Sequence, residues 1–142
     1  MFYLRRGTNQ QEEYAYCYLT SMQYLKLKNN NKNISKFFID NNFKRIAIYG
    51  LGQFADILYN DLIKTDVQVM YFIDKECKKF TYGYNDIPVV NVNSISKEPD
   101  VDVIVITSVY HCNEAIDELL KNGKELESII NFNDVVFGME SE

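Results

Sequence analysis

Hydrophobic and polar positions change period repeatedly along this 142-residue chain. Between residues 10 and 28, Tyr14, Cys17, Tyr18, Met22 and Leu25 recur close to every fourth position, which predicts a helix with that stripe turned to the core. Glu12 and Glu13 in its first turn and Lys26 and Lys28 in its last suit a helix dipole. The asparagine-rich run 28–33 predicts a loop. Ile34 to Ile39 then reads as a short helix with Phe37 and Phe38 inward. From Lys44 the pattern becomes an alternation. Apolar runs of strand length fall at 44–49, 67–73, 87–90, 101–107 and 126–132. Helical periodicity falls between them at 53–64 and 112–121, the latter with Cys112, Ile116, Leu119 and Leu120 inward and Gly123 placed as its C′ cap. A polar loop covers 75–86, a weak turn 94–97, and a last turn of helix 133–137. Pro88 cannot donate to a ladder, so 87–90 belongs at a sheet edge.

Strands alternating with helices predict an α/β fold, a parallel sheet covered on both faces. Right-handed crossovers give the strand order 3-2-1-4-5 of a Rossmann-like three-layer fold. The expected division is an amino-terminal helical segment, 1–43, followed by a Rossmann-like domain, 44–142.

The junction of the first strand and the helix after it carries the most chemistry. Tyr49-Gly-Leu-Gly-Gln-Phe-Ala55 reads G-x-G-x-x-A. Gly50 permits a sharp turn, Gly52 lets a phosphate approach the backbone, and Ala55 allows close contact between helix and strand. Free N–H groups at the helix start, with the helix dipole, then favour an anion. The next apolar run ends in Asp74, where an acid accepts hydrogen bonds from ribose hydroxyls. Thr107 and Ser108 follow the fourth strand and offer hydroxyls. Tyr110 or His111 beyond them offers a stacking or hydrogen-bonding group. Each residue also has a plainer reading. The glycines make a tight turn, Asp74 caps a loop or pairs with Lys75, Lys78 or Lys79, and His111 is a solvated residue at a helix start. Those lysines alternatively receive a ligand phosphate, which leaves NAD and NADP both open as the cofactor.

Composition narrows the field. Apolar residues make up 46% of the chain and charged residues 25%, as in an ordinary globular domain. A net charge of −5 argues against a nucleic-acid surface. No apolar run reaches membrane-spanning length, and the amino terminus has no signal-peptide core, so a cytoplasmic location is expected. Cys17, Cys77 and Cys112 have neither CxxC nor metal-ligand spacing and read as reduced thiols. A single histidine excludes a two-histidine metal site within the chain.

The stretch from Lys44 to about Phe137 resembles a recurrent bacterial family of small Rossmann-like domains. These occur at the amino end of nucleotide-sugar acetyltransferases and of polysaccharide-biosynthesis dehydratases and epimerases, and are described as CoA-binding-like. The likeness is carried by Ile46-Ala-Ile-Tyr-Gly-Leu-Gly-Gln-Phe-Ala55, Tyr71-Phe-Ile-Asp74, Ile87-Pro-Val89, Asp102-Val-Ile-Val-Ile106 and Ile129-Ile-Asn-Phe132. It implies a nucleotide or nucleotide-sugar lying against the glycine turn, with Gln53 and Phe54 beside it and Asp74 facing it. A fainter likeness, from Thr107 to His111, is to the cofactor domain of glucose–fructose oxidoreductase-type enzymes, whose Glu-Lys-Pro signature is missing here.

No hexapeptide repeat or dehydratase domain follows the sheet. Tyr82, Tyr84 and Tyr110 lack the lysine four positions later that a short-chain dehydrogenase relay needs. Three classes therefore remain open. One is a module binding NAD(P) or a nucleotide-sugar within surface-polysaccharide biosynthesis. Another is a stand-alone sugar-nucleotide oxidoreductase or epimerase. The third is a protein-interaction module with a vestigial site. The tyrosine-rich first helix is expected to join a second copy of the chain or a separate catalytic domain.

Overall fold

Strand β1 (Arg45–Tyr49) runs through the middle of the protein, and its side chains alternate between two apolar layers. Ile46 and Ile48 enter one cluster, while Ala47 and Tyr49 enter the other. The computed structural model describes residues 10–80, 83–108 and 112–139. Within them β2 (Gln68–Ile73), β3 (Val89–Val90), β4 (Val103–Ile106) and β5 (Ile129–Asn131) complete one sheet. Its order is β3-β2-β1-β4-β5, with every neighbouring pair parallel. Both faces are covered, which explains why the strands read as nearly continuous apolar runs. The expected Rossmann-like architecture and strand order are present.

The two faces are covered unequally. Helices α1 (Gln10–Asn29), α2 (Ser35–Asp40), α3 (Gln53–Leu62) and α5 (Phe132–Phe137) contribute to the cluster on one face. On the other, α4 (Cys112–Lys121) is the one α-helix among the described residues, joined by the 3₁₀ segment Val92–Lys97. Helix α4 ends as its sequence predicts. Gly123 has φ +88°, and the N–H groups of Gly123 and Lys124 return to the carbonyls of Leu120 and Leu119, a Schellman arrangement.

Helix α1 covers the expected span but presents a different side to the core. Tyr14, Tyr18, Met22 and Leu25 are 47–64% exposed, and Leu19 is exposed as well. The core-facing side carries Thr20, Gln23 and Leu27. Specific polar contacts fix this rotation. Gln23 Nε2 donates to the carbonyl of Val136 in α5 at 3.3 Å. Both oxygens of Asp61 in α3 hold α1, one accepting from the Tyr24 hydroxyl at 2.9 Å and one from Lys28 Nζ at 3.0 Å.

Strand ends also differ from the apolar runs. The run 101–107 yields only Val103–Ile106, because the Asp102 carboxylate turns back to accept the N–H groups of Lys44 and Arg45. The run 126–132 yields only Ile129–Asn131, because Asn131 caps α5 and Phe132 begins it. Only Val89 and Val90 of 87–90 pair as an edge strand, since the N–H of Ile87 bonds Tyr84. In α4, Leu120 is 41% exposed rather than inward. Its inner side is Ala115, Ile116 and Leu119.

Candidate functional site

The carboxyl ends of β1, β2 and β4 open into a cleft of about 710 Å³, a volume suited to a cofactor-sized ligand. It lies where crossovers leave β1 in opposite directions, toward β2 and toward β4, which is the general ligand position in open parallel sheets. Gly50, Gly52, Gln53, Phe54, Asp74, Lys75, Thr107 and Ser108 all line it. His111 lies outside the described residues, as does Tyr110.

The two glycines have different reasons to be there. Gly50 has φ +107°, and a Cβ at this position would meet Thr107 Oγ1 at 2.8 Å. The turn therefore requires glycine for both conformation and space. Gly52 adopts φ −85°, ψ −162°, which any residue can take, and forms the N-cap of α3. A Cβ there would meet nothing within 4 Å. Neither the turn nor the packing requires glycine at 52; its bare backbone simply opens the helix start to the cleft.

Other lining residues have part of their capacity committed. The Thr107 hydroxyl donates to the carbonyl of Tyr49 at 2.8 Å, so it clasps the end of β1 and keeps only acceptor capacity for a ligand. Asp74 Oδ1 accepts the N–H of Glu76 at 2.8 Å, which caps the following loop. Its Oδ2 takes no hydrogen bond from a described residue. Lys75 pairs with Glu114 of α4 at 3.0 Å, and Lys79 with Glu76 at 3.2 Å. The bond to Glu114 raises the Lys75 pKa. Phe54 stacks on Phe132, with centroids 5.0 Å apart, so packing accounts for much of its ring.

Helix α1 supplies a wall that the sequence did not reveal. Cys17 and Ser21, one turn apart, line the cleft, and the Ser21 hydroxyl donates to the Cys17 carbonyl. Glu114 and Ala115 of α4 and Phe80 of the loop after β2 complete it. The i, i+4 spacing of Cys17 and Ser21 places them on one helix side, but only the tertiary fold brings that side over the glycine turn. Cys17, Cys77 and Cys112 are free thiols. Cys112 lies within 3.1 Å of Asn131 Oδ1. No metal-binding group of histidine, cysteine and acid side chains occurs among the described residues.

Tyr-x-x-x-Lys spacings do occur at Tyr71 and Lys75, where Tyr71 is fully buried in β2 and burial raises its pKa, and before β1 at Tyr24 and Lys28. Burial and the Asp61 carboxylate raise the Tyr24 pKa, the reverse of what a proton-relay tyrosine needs. This pair joins helices.

A parallel sheet of this order, with a glycine turn leading into a helix and an acid ending the second strand, defines a Rossmann-like α/β domain. More specifically, the chain belongs to the family described as C2185-like, N-terminal, whose model matches residues 42–130. No curated protein matches the chain. No helix among the described residues is long and apolar enough to cross a membrane.

Proposed function

We propose that the cleft binds a nucleotide, either NAD or a nucleotide-sugar, with its diphosphate at the start of α3. The observation that carries this reading is Gly52. An ordinary backbone conformation and open space around its missing side chain leave accommodation of a ligand as the reason for glycine. The N–H groups there and the dipole of the ten-residue α3 supply the anion site. Asp74 offers an acceptor to ribose hydroxyls. With Lys75 and Lys79 engaged by Glu114 and Glu76, and with Asp74 and Glu76 at the rim, a free 2′-hydroxyl is favoured over the 2′-phosphate of NADP. By its resemblance to the domains of acetyltransferases and dehydratases, the module serves surface-polysaccharide biosynthesis.

Calorimetric titration with NAD, NADP, UDP-sugars, CoA and S-adenosylmethionine tests the reading. NAD or a UDP-sugar should bind, more tightly than NADP, and Gly52→Val should abolish that binding while leaving the melting temperature near the parent value. Equal binding by Gly52→Val would refute a diphosphate at this turn.

The outward side of α1 supports a second role. Tyr14, Tyr18, Leu19, Met22 and Leu25 form a contiguous exposed apolar surface of the kind that marks an interface. A second copy of the chain, related by a two-fold axis, is its proposed occupant.

A further inference from the structure

Among the described residues, the side chains that α1 buries, Thr20, Gln23 and Leu27, all lie in the second half of its 20 residues. The bonds from Gln23 to Val136 and from Tyr24 and Lys28 to Asp61 lie there too. Before Thr20, none of the side chains whose burial is described is buried; Tyr16 and Cys17 are half-buried and the others exposed. The cleft wall nevertheless draws on this first half, because Cys17 lies in it and Ser21 at its boundary. Helices in proteins owe most of their stability to the packing of an apolar face, and a segment that buries little opens at small free-energy cost. Intrachain packing alone therefore secures this wall weakly.

The outward side of the same helix can supply the support. Ala15, Tyr18, Met22 and Leu25 are all exposed and follow one another at three, four and three residues, the spacing by which two helices interlock their side chains. Such a seam is complementary to its own copy across a two-fold axis. With about 200 Å² for a fully exposed large side chain, Tyr14, Tyr18, Leu19, Met22 and Leu25 leave roughly 500 Å² uncovered per chain. Two copies then bury about 1,000 Å², where specific interfaces begin. In an antiparallel pair the helix dipoles align favourably. The first half of one α1 then lies on the anchored second half of the other.

Resting on the nucleotide and two-fold readings above, we propose that pairing through α1 completes the cleft. The second copy holds the first half of the helix, and with it Cys17 and Ser21, in place against a bound nucleotide. Ligand binding and self-association are then linked, and each strengthens the other by the same factor.

Leu25→Lys separates pairing from direct contact with a ligand. Leu25 lies two turns beyond Cys17 and outside the cleft lining, and lysine keeps the helix propensity of leucine. Light scattering identifies concentrations at which the parent is dimeric and Leu25→Lys monomeric. There, amide exchange in residues 14–19 should be at least about fivefold slower in the parent, and NAD or UDP-glucose should bind it at least about fivefold more tightly. Exchange rates or affinities that match between dimer and monomer overturn the linkage while the two-fold reading stands. A Leu25→Lys variant that remains dimeric places the contact elsewhere and overturns it as well. A parent that stays monomeric at high micromolar concentration removes the linkage and the two-fold reading together. If neither nucleotide binds either protein, the nucleotide reading falls, and exchange in residues 14–19 alone decides whether pairing secures the wall.

Discussion

Substituting the two turn glycines separately should give opposite results. In Gly50→Ala, the methyl group must be held at a φ near +107°, which costs about 1–2 kcal/mol for a residue with a Cβ. The same methyl lies 2.8 Å from Thr107 Oγ1, so Thr107 must move and its bond to the Tyr49 carbonyl is lost. That carbonyl keeps the Thr107 N–H at 2.9 Å, which limits this second loss to about 1 kcal/mol. With some residual crowding, Gly50→Ala should destabilise by about 2–4 kcal/mol. A chain of this size should then melt roughly 6–15 °C lower. For Gly52→Ala two smaller effects oppose each other. Alanine restricts the unfolded chain, worth about 0.4–1 kcal/mol in favour of folding. Alanine is also a poorer N-cap than glycine, by a comparable amount. The net change should stay within about 1 kcal/mol of zero. The chain has 11 tyrosines and no tryptophan, so urea unfolding followed by tyrosine fluorescence and far-ultraviolet dichroism provides the assay. Equal losses in the two variants, or a loss below about 0.5 kcal/mol in Gly50→Ala, would refute the assignment of different roles.

Two further predictions follow from other parts of the fold. Burial raises the Asp134 pKa from 3.8 to about 6, against the opposing hydrogen bond from the Asn131 N–H. Protonated Asp134 therefore favours the folded state. Its contribution is complete below about pH 4 and disappears as pH rises through 6. Urea midpoints at pH 4 and pH 7 should differ less in Asp134→Asn than in the parent, and an unchanged pH slope would argue against this carboxyl. Tyr18→Lys, at a position 64% exposed, should weaken self-association in light scattering without lowering the melting temperature. A parent that remains monomeric at high micromolar concentration would remove the two-fold reading.

Much of the sheet was legible because parallel strands buried on both faces read as apolar runs, and Ile46 to Tyr49 and Val103 to Ile106 do so without interruption. Helix α4 was equally plain, since its apolar positions lie on one side and Gly123 marks its end. Helix α1 was not legible in its rotation. Tyrosine, leucine and methionine occur over much of its circumference, so periodicity alone favoured a stripe that proves to face outward. The inner side was decided by Gln23 reaching Val136 and by Asp61 grasping Tyr24 and Lys28, contacts between residues 33 to 113 positions apart. The candidate site divides in the same way. The glycine turn and Asp74 follow from local pattern, whereas Cys17, Ser21 and Glu114 enter it only through tertiary placement. The commitment of Thr107 to Tyr49 likewise depends on two adjacent strand ends, which no spacing within either segment reveals.

The thin covering of one sheet face has a dynamic consequence. Helix α4 contributes three buried side chains, Ala115, Ile116 and Leu119, to its cluster, and it also bears Glu114 on the cleft. Segments anchored by few apolar contacts belong to the low-stability end of a protein's opening spectrum. Amide hydrogens of α4 should therefore exchange before those of β1 and β4, and a molecule bound in the cleft would slow them. Ligand entry and the fluctuation of this single helix would then share one free-energy scale, read directly from its exchange rates.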